Sequence, residues 1–205
     1  DKEIVNGLLA KYDWLHLHHE DFTGQYGKFY ANFNGQPWYK ENQRRQENLA
    51  KELGFTKVSQ LKLNVAIQIQ KYIAGGGFMF AMCSATDSYD IALSASGLDI
   101  CAKYFDGDAA DSDPDSKLDF STTLAFKNFT LVKDPLQYEF SSIDNNFNRK
   151  VIPENDYFQL FDFSAKWDPI PTMLTQNHTR TVKGFMGQTT AFKREFVKSD
   201  VLILG

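Results

Sequence analysis

AGGGFMFAMCSATDS, residues 74–88, is the stretch whose reading decides the fold. Three glycines lead into the apolar run Phe78–Met82, and the chain turns polar at Cys83. An apolar run of that length, bounded by glycine, predicts a strand buried on both faces, as in a parallel sheet. Upstream, Leu61, Leu63, Val65, Ala66, Ile67, Ile69 and Ile73 fall near helical spacing. Downstream, Ser84, Ala85, Thr86 and Asp87 are small and capping residues suited to opening a new helix. The unit is therefore helix, glycine turn, central strand, helix. Ligands in open α/β sheets lie at the carboxyl ends of the strands, which places Cys83 and Asp87 at that rim.

Working outward, Asp1–Lys11 carries Ile4, Val5, Leu8 and Leu9 on one face and predicts a helix. Tyr12–His18 predicts a strand that runs into the dense cluster His18, His19, Glu20 and Asp21. Phe22–Pro37 reads as a loop, and Trp38–Leu53 as a polar helix closed by Gly54. After Cys83 the helix ends near Gly97, and an acidic loop follows from Asp106 to Asp115. Leu118–Val132, Tyr138–Ile143 and Tyr157–Phe163 alternate apolar and polar residues, the pattern of antiparallel strands. Trp167-Asp-Pro-Ile-Pro171 breaks the chain, and Thr181–Phe192 returns to strand or loop character. Val201–Leu204 predicts a last strand. The expectation is one α/β domain over residues 1–205, with a β-rich insertion over about 104–198 and both ends cut from something longer.

Composition narrows the partners. A net charge of −4 gives no reason to expect nucleic acid, which needs clustered basic charge. No run approaches the roughly 20 apolar residues of a membrane helix. Aromatic residues make up 15%, with 18 Phe concentrated in the second half, where they are expected to pack beneath long loops or against another surface. Two cysteines, Cys83 and Cys101, make no disulfide framework.

Three constellations carry chemistry. Cys83 stands at a sharp strand-to-helix turn, where a nucleophile is exposed and backbone N–H groups stand ready for an oxyanion. Ala81 and Ala85 provide the small neighbours that such a turn needs, and a helix N-terminus favours thiolate over thiol. A nucleophilic cysteine wants a base, and the one histidine downstream is His178, in the polar run Asn177-His-Thr-Arg180. The second constellation is His16, His18, His19, Glu20 and Asp21, whose nitrogen and carboxylate oxygen atoms suit zinc, although no specific metal spacing is matched. The third is the acidic loop with Asp106, Asp108 and Asp111, hard oxygen ligands that suit calcium. Asp111-x-Asp113-x-Asp115 begins like an EF-hand loop, but Ser116 stands where glycine is required and Thr122 where glutamate is. The simpler reading of the second is hydrogen-bonded histidines, and of the third a solvated acidic loop.

Gly75-Gly-Gly-Phe-Met-Phe-Ala-Met-Cys-Ser-Ala-Thr-Asp87 resembles the ThuA-like branch of the class I glutamine amidotransferase-like superfamily, in which histidine often stands where this chain has Cys83. With YDWLHLHHEDFTGQYGKFY, DYFQLFDFSAKWDP, PTMLTQNHTR and KGFMGQTTAF, the chain is similar over nearly its whole length to a bacterial family commonly labelled asparagine synthetase B. The resemblance implies a doubly wound, mostly parallel, flavodoxin-like sheet. It also implies an exported protein of the periplasm or cell surface. Neither hallmark of asparagine synthetase B activity, an N-terminal nucleophilic cysteine or an ATP-pyrophosphatase domain, is matched by these residues. The later His-x-Glu of class I amidotransferases is likewise absent from them.

Three functions stay open on the sequence. One is a ThuA-like domain that binds or acts on a small polar or carbohydrate-type ligand at a rim of His18, His19, Glu20, Cys83, Asp87 and Asn177. Another is a non-catalytic component of a cell-envelope assembly with protein partners. The third is a cysteine-dependent amidotransferase or hydrolase using Cys83, with Asp87 and His178 beside it.

Overall fold

A computed structural model describes residues 1–144, 157–159, 181–183 and 191–203. Helices pack against one face of a two-stranded parallel sheet, so the architecture is α/β. The first helix, α1, covers only Lys2–Val5, and a separate 3-10 turn follows over Leu8–Lys11, the break falling at Gly7. The expected single helix over Asp1–Lys11 is therefore two pieces. Strand β1 is Trp14–Leu17. The stretch 22–37 is more than a loop: it holds a 3-10 turn at Tyr26–Lys28 and a short helix, α2, at Tyr30–Phe33. Helices α3 (Pro37–Glu52) and α4 (Val58–Ala74) follow. Then come β2 (Phe78–Ala81), α5 (Ser84–Ser94) and α6 (Lys103–Asp106).

The sheet shows why alternation decides burial. β1 and β2 pair Trp14 with Phe78, Leu15 with Met79, His16 with Phe80 and Leu17 with Ala81. Side chains point to opposite faces in turn, so Leu15, Leu17, Met79 and Ala81 pack into the main core. Trp14, Phe78 and Phe80 stand on the other face, 61%, 55% and 44% exposed. The expectation that Phe78–Met82 is buried on both faces is corrected: helices cover one face, and among the described residues nothing covers the other.

Two glycines fix the turn geometry around this sheet. A Cβ on Gly77 would lie 2.2 Å from the Tyr72 ring, which closes over the end of α4. At Gly24, φ is +82°, and a Cβ would meet the Ser59 backbone at 2.8 Å. Only a residue without a side chain permits either approach.

Helix α5 joins two cores. Every residue from Asp87 to Ser94 is buried. Ala85, Tyr89, Ala92 and Leu93 belong to the main core with Leu17, Leu61, Val65 and Ile69. Ile91 enters a second core with Phe126, Phe129, Phe140 and Ile143. Hydrogen bonds tie the helix on three sides: Tyr89 Oη donates to the Ala66 carbonyl of α4 at 3.1 Å, and Ser88 Oγ donates to the Glu20 carbonyl at 3.1 Å. On the third side, Asp90 accepts the N–H groups of Leu124, Ala125 and Phe126 at 2.7, 2.7 and 2.8 Å.

The second core is built from irregular chain. The strands expected over Leu118–Val132 and Tyr138–Ile143 are single bridges instead, pairing Phe126 with Val197, Leu131 with Ser141 and Asp144 with Phe192. Aromatic packing under loops does what ladders were expected to do: Phe120 packs edge-to-face on Phe129 and Phe126 on Phe192. The one antiparallel pair described here joins β3 (Tyr157–Gln159) to β4 (Thr181–Lys183). Val201–Ile203 is not a strand. The break at 167–171 lies outside the described residues. No helix among those described is long and apolar enough to cross a membrane.

Replacing Asp90 with alanine leaves three N–H groups, one buried and two partly so, without an acceptor, and we expect a loss of roughly 2–3 kcal/mol in urea unfolding. Asp90→Asn, which retains an acceptor oxygen, is expected to lose less.

Candidate functional site

The rim at the carboxyl ends of β1 and β2 is where the sequence placed its candidates. Cys83 is the N-cap of α5, with φ 55° and ψ −136°. That conformation is sparsely populated for any residue with a side chain and is held only where the surroundings over-determine it. Here the turn is closed by the N–H of Ala85 on the Met82 carbonyl at 3.2 Å and the N–H of Thr86 on the Cys83 carbonyl at 3.0 Å. The N–H of Met82 also reaches back to the Leu17 carbonyl of the neighbouring strand at 3.0 Å. A strand, a strained cysteine and a helix in that order share the backbone geometry of a nucleophile elbow, in which the amide at the oxyanion position would be that of Ser84. The Cys83 side chain is half-buried.

Asp87 lies in the first turn of α5, four residues after Cys83. It is 2% exposed, and its Oδ2 has no hydrogen-bond partner among the described residues. Burial pushes its carboxyl up to about 8; the negative charge of Asp144 adds to this, while backbone N–H groups at Asp87 and Ser88 oppose it. Tyr138 joins the group: burial raises its phenol, and Cys83, Asp144 and Asp87 act on it in the same direction. Asp144 and Tyr138 come from the irregular segment, and nothing in the sequence singled them out.

The histidines divide. His16 is on the exposed sheet face, its ring 5.4 Å from that of Phe80. The His18 and His19 rings lie tilted against each other, centroids 3.8 Å apart, just past the end of β1, and Glu20 accepts the His18 backbone N–H at 2.6 Å. They line a cleft of about 410 Å³ together with Asn42 and Gln46 of α3 and Lys62 of α4. Lys62 is nearly buried and pairs with Asp1 at 2.7 Å; burial lowers its ammonium, against the charges of Asp21 and Glu20. His178 and Asn177 lie outside the described residues.

Beside this cleft the chain makes a left-handed turn. Tyr26, Gly27 and Lys28 have φ of 53°, 72° and 57°. Asp21 holds the turn, accepting the Thr23 N–H and hydroxyl at 2.7 and 2.6 Å on one oxygen and the Gly27 N–H at 2.8 Å on the other. The turn drives Lys28 inward to 1% exposure, where its ammonium donates to the Val132 and Asp134 carbonyls, each at 3.0 Å. Burial lowers that ammonium to about 8, with Asp134 and Asp21 opposing. The glycines of GQYGKFY signal a turn; nothing in that run signals a buried cation.

The metal expectation meets a different set. Among the described residues, Asp99, Cys101 and Asp106 are the three whose ligand atoms lie within 4.8 Å of one another. His16, His18 and His19 form no such set, and of the acidic loop only Asp106 belongs to it. Asp108 pairs with Lys57 at 2.6 Å, Asp111 accepts the Asp99 N–H at 3.0 Å, and Asp115 accepts the Leu131 N–H at 2.7 Å. The EF-hand-like run is thus dispersed onto separate partners. Lys57 stands among Asp99, Asp106 and Asp108, and although burial alone would lower its ammonium, Asp108, Asp99 and Asp106 raise it overall. Cys101 is buried, which pushes its thiol up, and its Sγ donates to the Thr23 carbonyl at 3.3 Å. A lysine already balances the charge that a cation would balance.

No family model, curated protein or solved structure matches the chain. The site is therefore read from its own geometry.

Lys57→Met removes the ammonium from three carboxylates. The expected result in calorimetry is a lower Tm at pH 7, restored in part by millimolar calcium or by zinc, with the wild-type Tm unmoved by either ion. An unchanged Tm in the variant would show that the carboxylates need no counter-ion.

Proposed function

We propose that this protein binds a small polar ligand at the carboxyl-end rim of its parallel strands and acts on it with the thiol of Cys83. The observation that carries this reading is the backbone of Cys83, φ 55° and ψ −136° between β2 and an eleven-residue helix. A buried structural cysteine does not require such a conformation; a nucleophile lifted clear of the sheet does. The chemistry it suits is acyl transfer or hydrolysis, in which sulfur attacks a carbonyl carbon and the Ser84 N–H meets the developing oxyanion. His18 and His19, which follow the end of the adjacent strand β1, are the side chains this reading assigns as acid or base. Within this reading the β1, β2 and α5 unit is part of a doubly wound, flavodoxin-like sheet. The amidotransferase-like resemblance of residues 75–87 supports it and brings with it a periplasmic or cell-surface location. An asparagine synthetase activity is no part of the proposal. Of the two metals weighed from the sequence, zinc is the one that would suit a sulfur beside two carboxylates at Asp99, Cys101 and Asp106, and only where the Lys57 ammonium has given up its place.

One observation favours a second reading, a component of an envelope assembly. Trp14, Phe78 and Phe80 form a contiguous exposed aromatic face, with Trp14 and Phe78 rings 5.0 Å apart. Such patches mark interaction surfaces more often than free ones.

Two measurements separate the readings. Native protein treated with iodoacetamide at pH 7 is expected to be modified at Cys83 and spared at Cys101, as read by peptide mass spectrometry. A p-nitrophenyl ester is expected to give a stoichiometric burst that Cys83→Ala abolishes. A Cys83 that reacts only after unfolding in urea overturns the thiol reading and leaves the aromatic face as the functional surface.

A further inference from the structure

We propose that Asp87 is a ligand-binding residue of the Cys83 site, its buried and unpartnered carboxyl oxygen offering a hydrogen bond to a ligand held beside the sulfur. This inference rests on the reading of Cys83 as the group that meets the ligand. It stands first on geometry. Side chains in a helix lean back toward its N-terminus, so the Asp87 carboxyl lies over the turn that carries Cys83. The residue is 2% exposed and its Oδ2 is without a hydrogen-bond partner among the described residues. A buried polar atom left unmatched inside an otherwise well-bonded helix asks for a partner from outside the chain. Ser88 and Asp90, its neighbours on α5, are fully matched by Phe22, Glu20 and the three N–H groups of Leu124 to Phe126. Asp87 alone of the three is left over.

Electrostatics decides which form the carboxyl takes. Asp144 from the segment above and Asp21 from the rim loop act on it, its own helix turn supplies the backbone N–H groups of Asp87 and Ser88, and Tyr138 is acted on by both Cys83 and Asp87. The two charges that act on it, Asp144 and Asp21, are negative. Burial and those charges keep the proton on Asp87 up to about pH 8. Below that point the site holds a donor facing the elbow; above it, a buried negative charge. A neutral or hydrogen-bond-accepting ligand is welcome in the first state, and an anionic one is repelled in the second.

The sign of the stability effect follows. Because the folded carboxyl holds its proton more tightly than the unfolded one, its contribution is complete below the unfolded value of 3.8 and is lost as pH rises to about 8. Asp87→Asn, which keeps the shape of the neutral acid, should match wild type near pH 4 and melt at a higher temperature at pH 9.

The test compares two alkylating reagents of similar size, neutral iodoacetamide and anionic iodoacetate, on native protein between pH 6 and 9. Ionisation of the thiol itself cancels in the ratio of their rates, so the ratio reports only the charge beside the sulfur. In the wild type the ratio is expected to rise about fivefold across pH 8, a fraction of the tenfold that one unit of like-charge interaction supplies. In Asp87→Asn it is expected to stay flat. A thiol that reacts rapidly in both proteins with the same ratio at every pH overturns the role of Asp87 and spares that of Cys83. A thiol that is slow toward both reagents in both proteins overturns the two together.

Discussion

The three N–H groups that Asp90 gathers from Leu124, Ala125 and Phe126 hold the molecule in one piece. A carboxylate is costly to bury, and burial does raise the Asp90 carboxyl, but the three N–H bonds and the nearby Lys198 charge pull it back. The same residue therefore cannot be moved, because the irregular segment that satisfies it has no ladder of its own to hold its backbone. α5 becomes an axle between the helical layer and the aromatic layer. The elbow at its N-terminus inherits that rigidity, which is what a strained cysteine needs in order to persist.

How much of this was legible in the sequence depends on whether a residue's partner was local. The helix, glycine turn, strand and helix around Cys83 were readable because each signal lies within a few residues: helical spacing in 61–73, glycine at 75–77, capping residues after Cys83. The exposure of Phe78 and Phe80 was not, since an apolar run looks alike whether one face or two are covered, and only the neighbouring layers decide. Alternation over 118–143 suggested strands, and the same Phe and Ile positions instead pack as a loop-bound core. Short apolar runs fit either outcome, and here Asp90 and the bridges to 192 and 197 settled it.

At the site the division is similar. Cys83 and Asp87 could be named from the strand end alone, and the structure puts them at the cap and in the first turn of one helix. Tyr138, Asp144, Lys28 and Lys57 could not, because each reaches its place through a contact dozens of residues distant. The acidic loop looked like a ligand set in sequence because its carboxylates are close along the chain. In space they part, since Lys57, the Asp99 amide and the Leu131 amide each claim one.

Lys28 links the earliest part of the chain to a late one, its ammonium reaching carbonyls 104 and 106 residues away. A left-handed turn of three residues, two of them carrying side chains, is costly by itself. Before Val132 and Asp134 arrive, the turn has nothing to hold a lysine inward. The rim loop therefore takes its shape only in company with a distant segment, so a change at Val132 or Asp134 is felt beside the histidines as directly as one at Lys28.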